Sequence, residues 1–265
     1  MQRLEGRIAI VTGGGDGIGR GITRRFAREG AKVLVAEIND ENGELVAKQC
    51  KEEFGADVRF LHTDASVKPD MLRMVEHAVD TWGTVDILVN NAWGKAGGVS
   101  RVEQKDDAEM ERGLDMGYRG PVWAMKAAYP HMKAQRRGSI INICSLNGVN
   151  AHMGTVQYNA AKEALRAFSR SAAREWAPNQ VRINMICPAA KTAAARATFA
   201  EHPELEKSAD SANPMGRMGD PEGDIAPVAF FLASDDSVYL TGNTLFVDGG
   251  SHINGSSWAP DLGPD

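Results

Sequence analysis

This chain has few cysteines, no long apolar run and no excess of positive charge. Its three cysteines, Cys50, Cys144 and Cys187, are widely spaced, which gives neither a paired disulfide framework nor a metal-ligand cluster and points to a reducing compartment. No segment reaches the roughly 20 apolar residues that span a bilayer. The opening MQRLEGRIAIVTGGG carries no apolar stretch ahead of a cleavage site, so the expectation is a cytoplasmic protein with no membrane partner. A net charge of −5 offers no broad attraction to nucleic acid, leaving open only a local basic patch. The six histidines show no H-E-x-x-H or similar spacing, so no metal is expected.

What remains, 265 residues with 43% hydrophobic and 25% charged content, is the composition of an ordinary soluble α/β chain without repeats or an internal linker. Short apolar runs, IAIVT, KVLVAE, VRFLH, DILVN, SIINIC, VRINMI and NTLFVDGG, alternate with longer amphipathic stretches and read as strands between helices. Near-continuous Val, Ile and Leu implies strands buried on both faces, as in a parallel sheet flanked by helices. The expected fold is a single doubly wound, Rossmann-like α/β domain over residues 1–265. The least patterned stretch, KTAAARATFAEHPELEKSADSANPMGRMGD, reads either as a mobile substrate loop around 190–220 or as a solvated connection.

Two local patterns carry chemistry. In IVTGGGDGIGRGITRRFAREG a strand passes through a glycine-rich turn into a helix, whose N-terminus offers free N–H groups and a positive dipole end to a phosphate. Gly13, Gly17 and Gly19 permit a tight turn and close approach to a pyrophosphate. Their spacing differs from G-x-G-x-x-G, and glycine-rich turns without ligands are common. Eighteen residues after Gly19 stands Glu37, placed to accept hydrogen bonds from an adenosine ribose and to repel the 2′-phosphate of NADP, or else a solvated strand end. Asp16 lies inside the turn, and no Arg or Lys precedes Gly17 there. NAD is therefore the expected cofactor, with Arg20 and Arg24 leaving tolerance of NADP open.

In QYNAAKEAL, Tyr158 precedes Lys162 by four residues, one helical turn, so a phenol and an ammonium share a face. A free phenol, with a pKa of about 10, is a poor base near neutral pH. A neighbouring cation would stabilise the phenolate and lower that value. Taken alone, such a pair is far more often a surface contact.

Five stretches in order, TGGGDGIG, DILVNNA, GSIINICS, YNAAK and LTGNTLFVDGG, resemble the short-chain dehydrogenase/reductase family, and the similarity runs almost from end to end. The resemblance implies a seven-stranded sheet ordered 3-2-1-4-5-6-7 and a homo-oligomer, a tetramer or dimer. It implies that Tyr158 is the acid–base, that Ser145 hydrogen-bonds the substrate oxygen, and that Lys162 both tunes Tyr158 and binds the nicotinamide ribose. It also puts Asp64 against the adenine and Asn91 in the cofactor cleft, although either residue can equally cap a turn. The implied cofactor set is completed by Gly13, Asp16, Gly17, Ile18, Gly19, Glu37, Ala65, Pro188 and Thr192.

The chain departs from the family pattern at three places. Trp93 stands in NNAWG where a glycine is expected, either capping the nicotinamide pocket or packing in the core. Gly117, in MGYRG, replaces the asparagine thought to hold a proton-relay water through a backbone kink. In CPAAKT, Ala189 replaces a glycine and Lys191 stands near an expected aliphatic residue, which leaves the loop register open. His152 reads either as pocket lining or as a surface residue, and Cys144 as a buried small hydrophobe. Trp258 in the tail either covers a neighbouring surface or frays.

The expected function is interconversion of a secondary alcohol and a ketone with NAD, on an apolar or cyclic substrate. Acyl-thioester reduction is disfavoured because it usually goes with NADPH. Two alternatives stand beside it: a dinucleotide-binding regulatory protein with impaired catalysis, and an isomerase or dehalogenase on the same fold. The intact glycine turn argues against a cofactor-free version of the latter.

Overall fold

A computed structural model describes residues 2–94, 97–192, 196 and 199–253. Its seven strands are β1 (Ile8–Thr12), β2 (Lys32–Glu37), β3 (Val58–His62), β4 (Ile87–Asn90), β5 (Gly138–Ile143), β6 (Val181–Pro188) and β7 (Thr244–Val247). They pair in parallel in the order β3-β2-β1-β4-β5-β6-β7, as expected. Successive side chains on a strand point to opposite faces, and here both faces are buried. Ile8 and Ile10 enter one core while Ala9 and Val11 enter the other.

The first core is closed by α3 (Lys68–Trp82), α5 (Gly120–Ala134) and α7 (Val156–Trp176). The second is closed by α1 (Gly17–Arg28) and α9 (Ala226–Ala233), with Phe26 and Phe230 among its side chains. Helix α2 (Asp40–Phe54) leads to β3. Helix α4 (Asp107–Leu114) runs into a π-helical turn over Asp115–Arg119, which feeds α5. The short α6 (Leu146–Val149) follows β5.

The order of strands reverses between β1 and β4, and open parallel sheets bind ligands at such a switch point, outside the carboxyl ends of the strands. The segments following β1, β4, β5 and β6 meet there.

Within the stretch read as a loop, the structure places a helix, α8 (Pro203–Ser211). Pro203 suits its first turn and Glu204 and Glu206 suit its positive end. Its small and polar composition hid this from periodicity. Residues 193–195 and 197–198, and the tail from 254 onward with Trp258, lie outside the described residues.

Candidate active site

The glycine turn is shaped by positions that admit no side chain. Gly13 and Gly17 have φ of +61° and +52°, the left-handed region that favours glycine. A Cβ on Gly19 would lie 1.9 Å from the Gly13 carbonyl oxygen. Asp16 caps α1, its carboxylate accepting from Gly17 N–H at 2.7 Å, so the helix N-terminus faces the cleft without a capping side chain deeper in.

Glu37 is buried at the end of β2. One carboxylate oxygen accepts from Gly15 N–H at 3.1 Å, and the other accepts from Ile38 and Asn39 N–H at 3.0 and 3.1 Å. The carboxylate thus fixes the glycine turn to the β2–α2 connection and is no freely solvated strand end. Arg20 and Arg24 do not line the cleft. Arg20 donates to Gln49, and Arg24 bridges Glu53 and Glu222.

Asp64 accepts from both N–H and Oγ of Ser66, at 2.8 and 2.7 Å, and so caps its own turn as well as lining the cleft with Ala65. Asn91 donates from its amide to the carbonyls of Thr12 and Gly13, at 3.0 and 3.1 Å, tying the end of β4 to the glycine turn. Thr12, not singled out from sequence, completes that tie. Its hydroxyl accepts from Asn91 and Ala92 N–H and donates to Val89 O.

On the opposite side, α7 presents Tyr158 and Lys162. A buried polar chain fixes the helix: Asn90 amide to Asn142, Asn142 amide to Ser169 Oγ, and Ser169 Oγ to Leu165 O, each at 2.7 Å. Ser145 stands near the Tyr158 phenol and favours its charged form, and its Oγ accepts from Asn147 N–H at 3.1 Å. Lys162 is 3% exposed and donates to Ile143 O at 2.8 Å. Its Nζ lies 5.6 Å from the Tyr158 ring centroid and 5.5 Å from that of Trp93. The spacing of Tyr158 and Lys162 thus describes a buried ammonium beside a half-buried phenol at the cleft.

The electrostatics differ from the sequence expectation. Burial pushes the Tyr158 phenol above its ordinary value, and the nearby Ser145 side chain opposes this in part. Burial likewise pushes the Lys162 ammonium down. In this dry environment desolvation of both charged forms outweighs the lowering expected from Lys162.

After β6, Pro188 and Thr192 line the cleft, and Gly219 fixes the loop register. Gly219 N–H donates to Ala189 O at 2.9 Å and Lys191 N–H to Gly219 O at 2.8 Å. Lys191 reaches away to Glu206 and Asp210 of α8, at 2.8 and 2.9 Å. His152 is exposed and lines the cleft. Cys144 is buried, its thiol pushed up to about 12 by desolvation, which makes it inert.

All of these expected site residues except Gly19, which shapes the turn from beneath, border one cavity of about 970 Å³. The cavity also touches Ile38, Met116, Gln157 and Met218, which sequence reasoning missed. An exposed Ile38 beside Glu37 was the available signal. Among the described residues no group of three His, Cys, Asp or Glu side chains is arranged for a metal, and no helix is long and apolar enough to cross a membrane.

The family model described as "Enoyl-(Acyl carrier protein) reductase" matches residues 13–252. The chain belongs to the short-chain dehydrogenase/reductase family. It is 37% identical over 262 residues to momilactone A synthase of Oryza sativa subsp. japonica, covering 97% of this chain and 94% of that one. It is 34% identical over 256 residues to the 12alpha-hydroxysteroid dehydrogenase of Clostridium sp., covering 94% and 98%. Among solved structures, levodione reductase superposes with a TM-score of 0.88 at 28% identity, covering 94% of this chain and 98% of that one. Family membership makes the protein an oxidoreductase that uses a nicotinamide dinucleotide, and the cavity is bordered by a glycine-rich turn at a helix N-terminus and by Ser145, Tyr158 and Lys162.

Proposed function

We propose that the protein is an NAD-dependent dehydrogenase that interconverts a secondary alcohol and a ketone, with Ser145, Tyr158 and Lys162 as its catalytic residues. The observation that carries this reading is the convergence of those three side chains on one cavity that the glycine turn also borders. The dinucleotide, when bound, supplies the hydride acceptor or donor and, in its oxidised form, a positive charge beside the phenol.

The chain's own residues do the rest. The α1 N-terminus, with Gly13, Asp16, Gly17, Ile18 and Gly19 at the turn, cradles the pyrophosphate. Asp64, Ala65 and Asn91 border the adenosine and nicotinamide segments, and Pro188 and Thr192 the nicotinamide end. Glu37 presents a buried carboxylate where a 2′-phosphate would stand, and Arg20 and Arg24 are held by Gln49, Glu53 and Glu222. Both observations support NAD over NADP.

Tyr158 exchanges a proton with the substrate oxygen, and Ser145, which lines the same cavity, holds that oxygen. With its pKa raised by burial, Tyr158 rests as the neutral acid, the form that ketone reduction requires; oxidation depends on cationic charge brought beside it. The segment after β6 and helix α8, joined by Lys191, form the substrate side. Met116, Met218 and Ala190 in the cavity lining favour an apolar or cyclic substrate, as does the hydroxysteroid named for one relative. The reading extends to a cytoplasmic homo-oligomer.

Nicotinamide absorbance with NAD and NADP across linear, cyclic and polycyclic secondary alcohols tests this. Turnover should appear with NAD and fall by about a thousandfold or more in Tyr158→Phe, with NADH affinity unchanged. NADH binding without turnover of any alcohol would favour the regulatory-protein alternative.

A further inference from the structure

The two departures from the family pattern nearest the catalytic pair meet in space. The Trp93 indole stands edge-on to the Tyr158 ring, with centroids 4.6 Å apart and planes at 78°, a favourable aromatic geometry. A Cβ on Gly117 would lie 2.7 Å from Trp93 Cζ3 and 2.9 Å from Ala161 Cβ. The indole therefore occupies the space that a side chain at 117 would need. Gly117 sits in the π-helical turn over Asp115–Arg119, which hands it inward toward α7.

The Lys162 ammonium carries three N–H donors and is 3% exposed. Among the described residues its only hydrogen bond goes to Ile143 O. Its other near neighbours are the faces of Trp93 and Tyr158, both within the roughly 6 Å range of cation–π attraction. With a single protein hydrogen bond, this largely buried ammonium gains favourable contact from two ring faces beside the cavity it borders.

We propose that Trp93 and Gly117 form one device: the indole is a positioning residue that packs against Tyr158 and Lys162 at the wall of the cleft, and the missing side chain at 117 makes room for it. The indole occupies the space of the asparagine side chain that the family resemblance implies, and this pairing rests on the dehydrogenase reading above. Substitutions at Trp93 and Gly117 should accordingly be non-additive.

The test compares Trp93→Phe, Trp93→Gly, Gly117→Asn and the double variant Trp93→Gly/Gly117→Asn in the full chain. Trp93→Gly should lower kcat by about tenfold with the KM for NAD unchanged, whereas Trp93→Phe, which keeps a ring face, should stay within about threefold of the unaltered protein. Gly117→Asn alone should lose about tenfold in kcat or more, and should cost little further once the indole is gone. Equal loss in Trp93→Phe and Trp93→Gly would overturn the proposal, as would equal damage by Gly117→Asn in both backgrounds, which would assign the effect to Ala161. If the unaltered protein turns over no alcohol, the dehydrogenase reading has failed. The pairing is then decided by thermal unfolding of the same variants: non-additive shifts support it and additive shifts overturn it.

Discussion

At the glycine turn the wall of the cleft is backbone held against backbone: Gly19 under the Gly13 carbonyl, Glu37 and Asn91 gathering main-chain N–H and C=O groups. Around Tyr158 the wall is side chain against side chain, with Trp93 on Tyr158, Lys162 between two rings, and Lys191 reaching α8. The first construction tolerates almost no variation, because a shifted backbone moves every group attached to it. The second can be rebuilt by compensating changes, as Trp93 and Gly117 illustrate. On the function proposed above, the dinucleotide would be met by the rigid half and the substrate by the adaptable one.

The sharpest way to break this comparison is Gly19→Ala. Ordinary overpacking costs about 1–3 kcal/mol, and here the added methyl meets a main-chain oxygen at 1.9 Å, with no flexible side chain to yield. NADH affinity, read by calorimetric titration, should fall by about a hundredfold or more, roughly 2.8 kcal/mol, together with thermal stability. If affinity holds, the turn does not cradle the dinucleotide and the proposed cofactor end is misplaced.

A smaller effect is expected from Glu37→Gln, which keeps an acceptor for Ile38 and Asn39 N–H but removes the charge. The ratio of kcat/KM with NADP to that with NAD should rise by about tenfold, the equivalent of 1.4 kcal/mol. Stability should drop by about 1 kcal/mol, because an amide N–H₂ cannot accept from Gly15. An unchanged ratio with reduced stability would make Glu37 purely a fastener of the turn.

The same division explains what could be read in advance. The parallel strands and the glycine turn were legible because parallel strands demand continuous apolar runs and left-handed backbone demands glycine, whereas the order of the strands came only from the family resemblance. Both constraints act within a few neighbouring residues. Tyr158 and Lys162 were legible as one helical turn, but their burial was not, since the apolar stripe of α7 around Ala161 and Leu165 is completed only by the sheet. That burial reversed the expected direction of the Tyr158 shift. Trp93 and Gly117 read as two separate anomalies because twenty-four residues separate them in the chain. Helix α8 was missed because its short, polar sequence shows little apolar face, and its anchor, Lys191, precedes it by a dozen residues.

That anchor supplies the gentlest test. Lys191 holds Glu206 and Asp210 through one ammonium with a side chain 25% exposed, and Asp210 also accepts from Met218 N–H at 2.9 Å, so a single side chain links the loop after β6, α8 and the Met218 turn. Such half-exposed pairs contribute only about 0–1 kcal/mol each. Lys191→Met, which keeps the aliphatic stem, should therefore leave thermal stability almost unchanged. What it should alter is the placement of α8 over the substrate end: KM for the alcohol rises by about threefold, while NADH affinity and kcat at saturation stay constant. Added salt should reproduce part of that rise in the unaltered protein and none in the variant, because screening weakens the ion pairs that the variant already lacks. A change in NADH affinity of similar size would instead mean that α8 serves both ends of the cleft, and the two halves would no longer be separable.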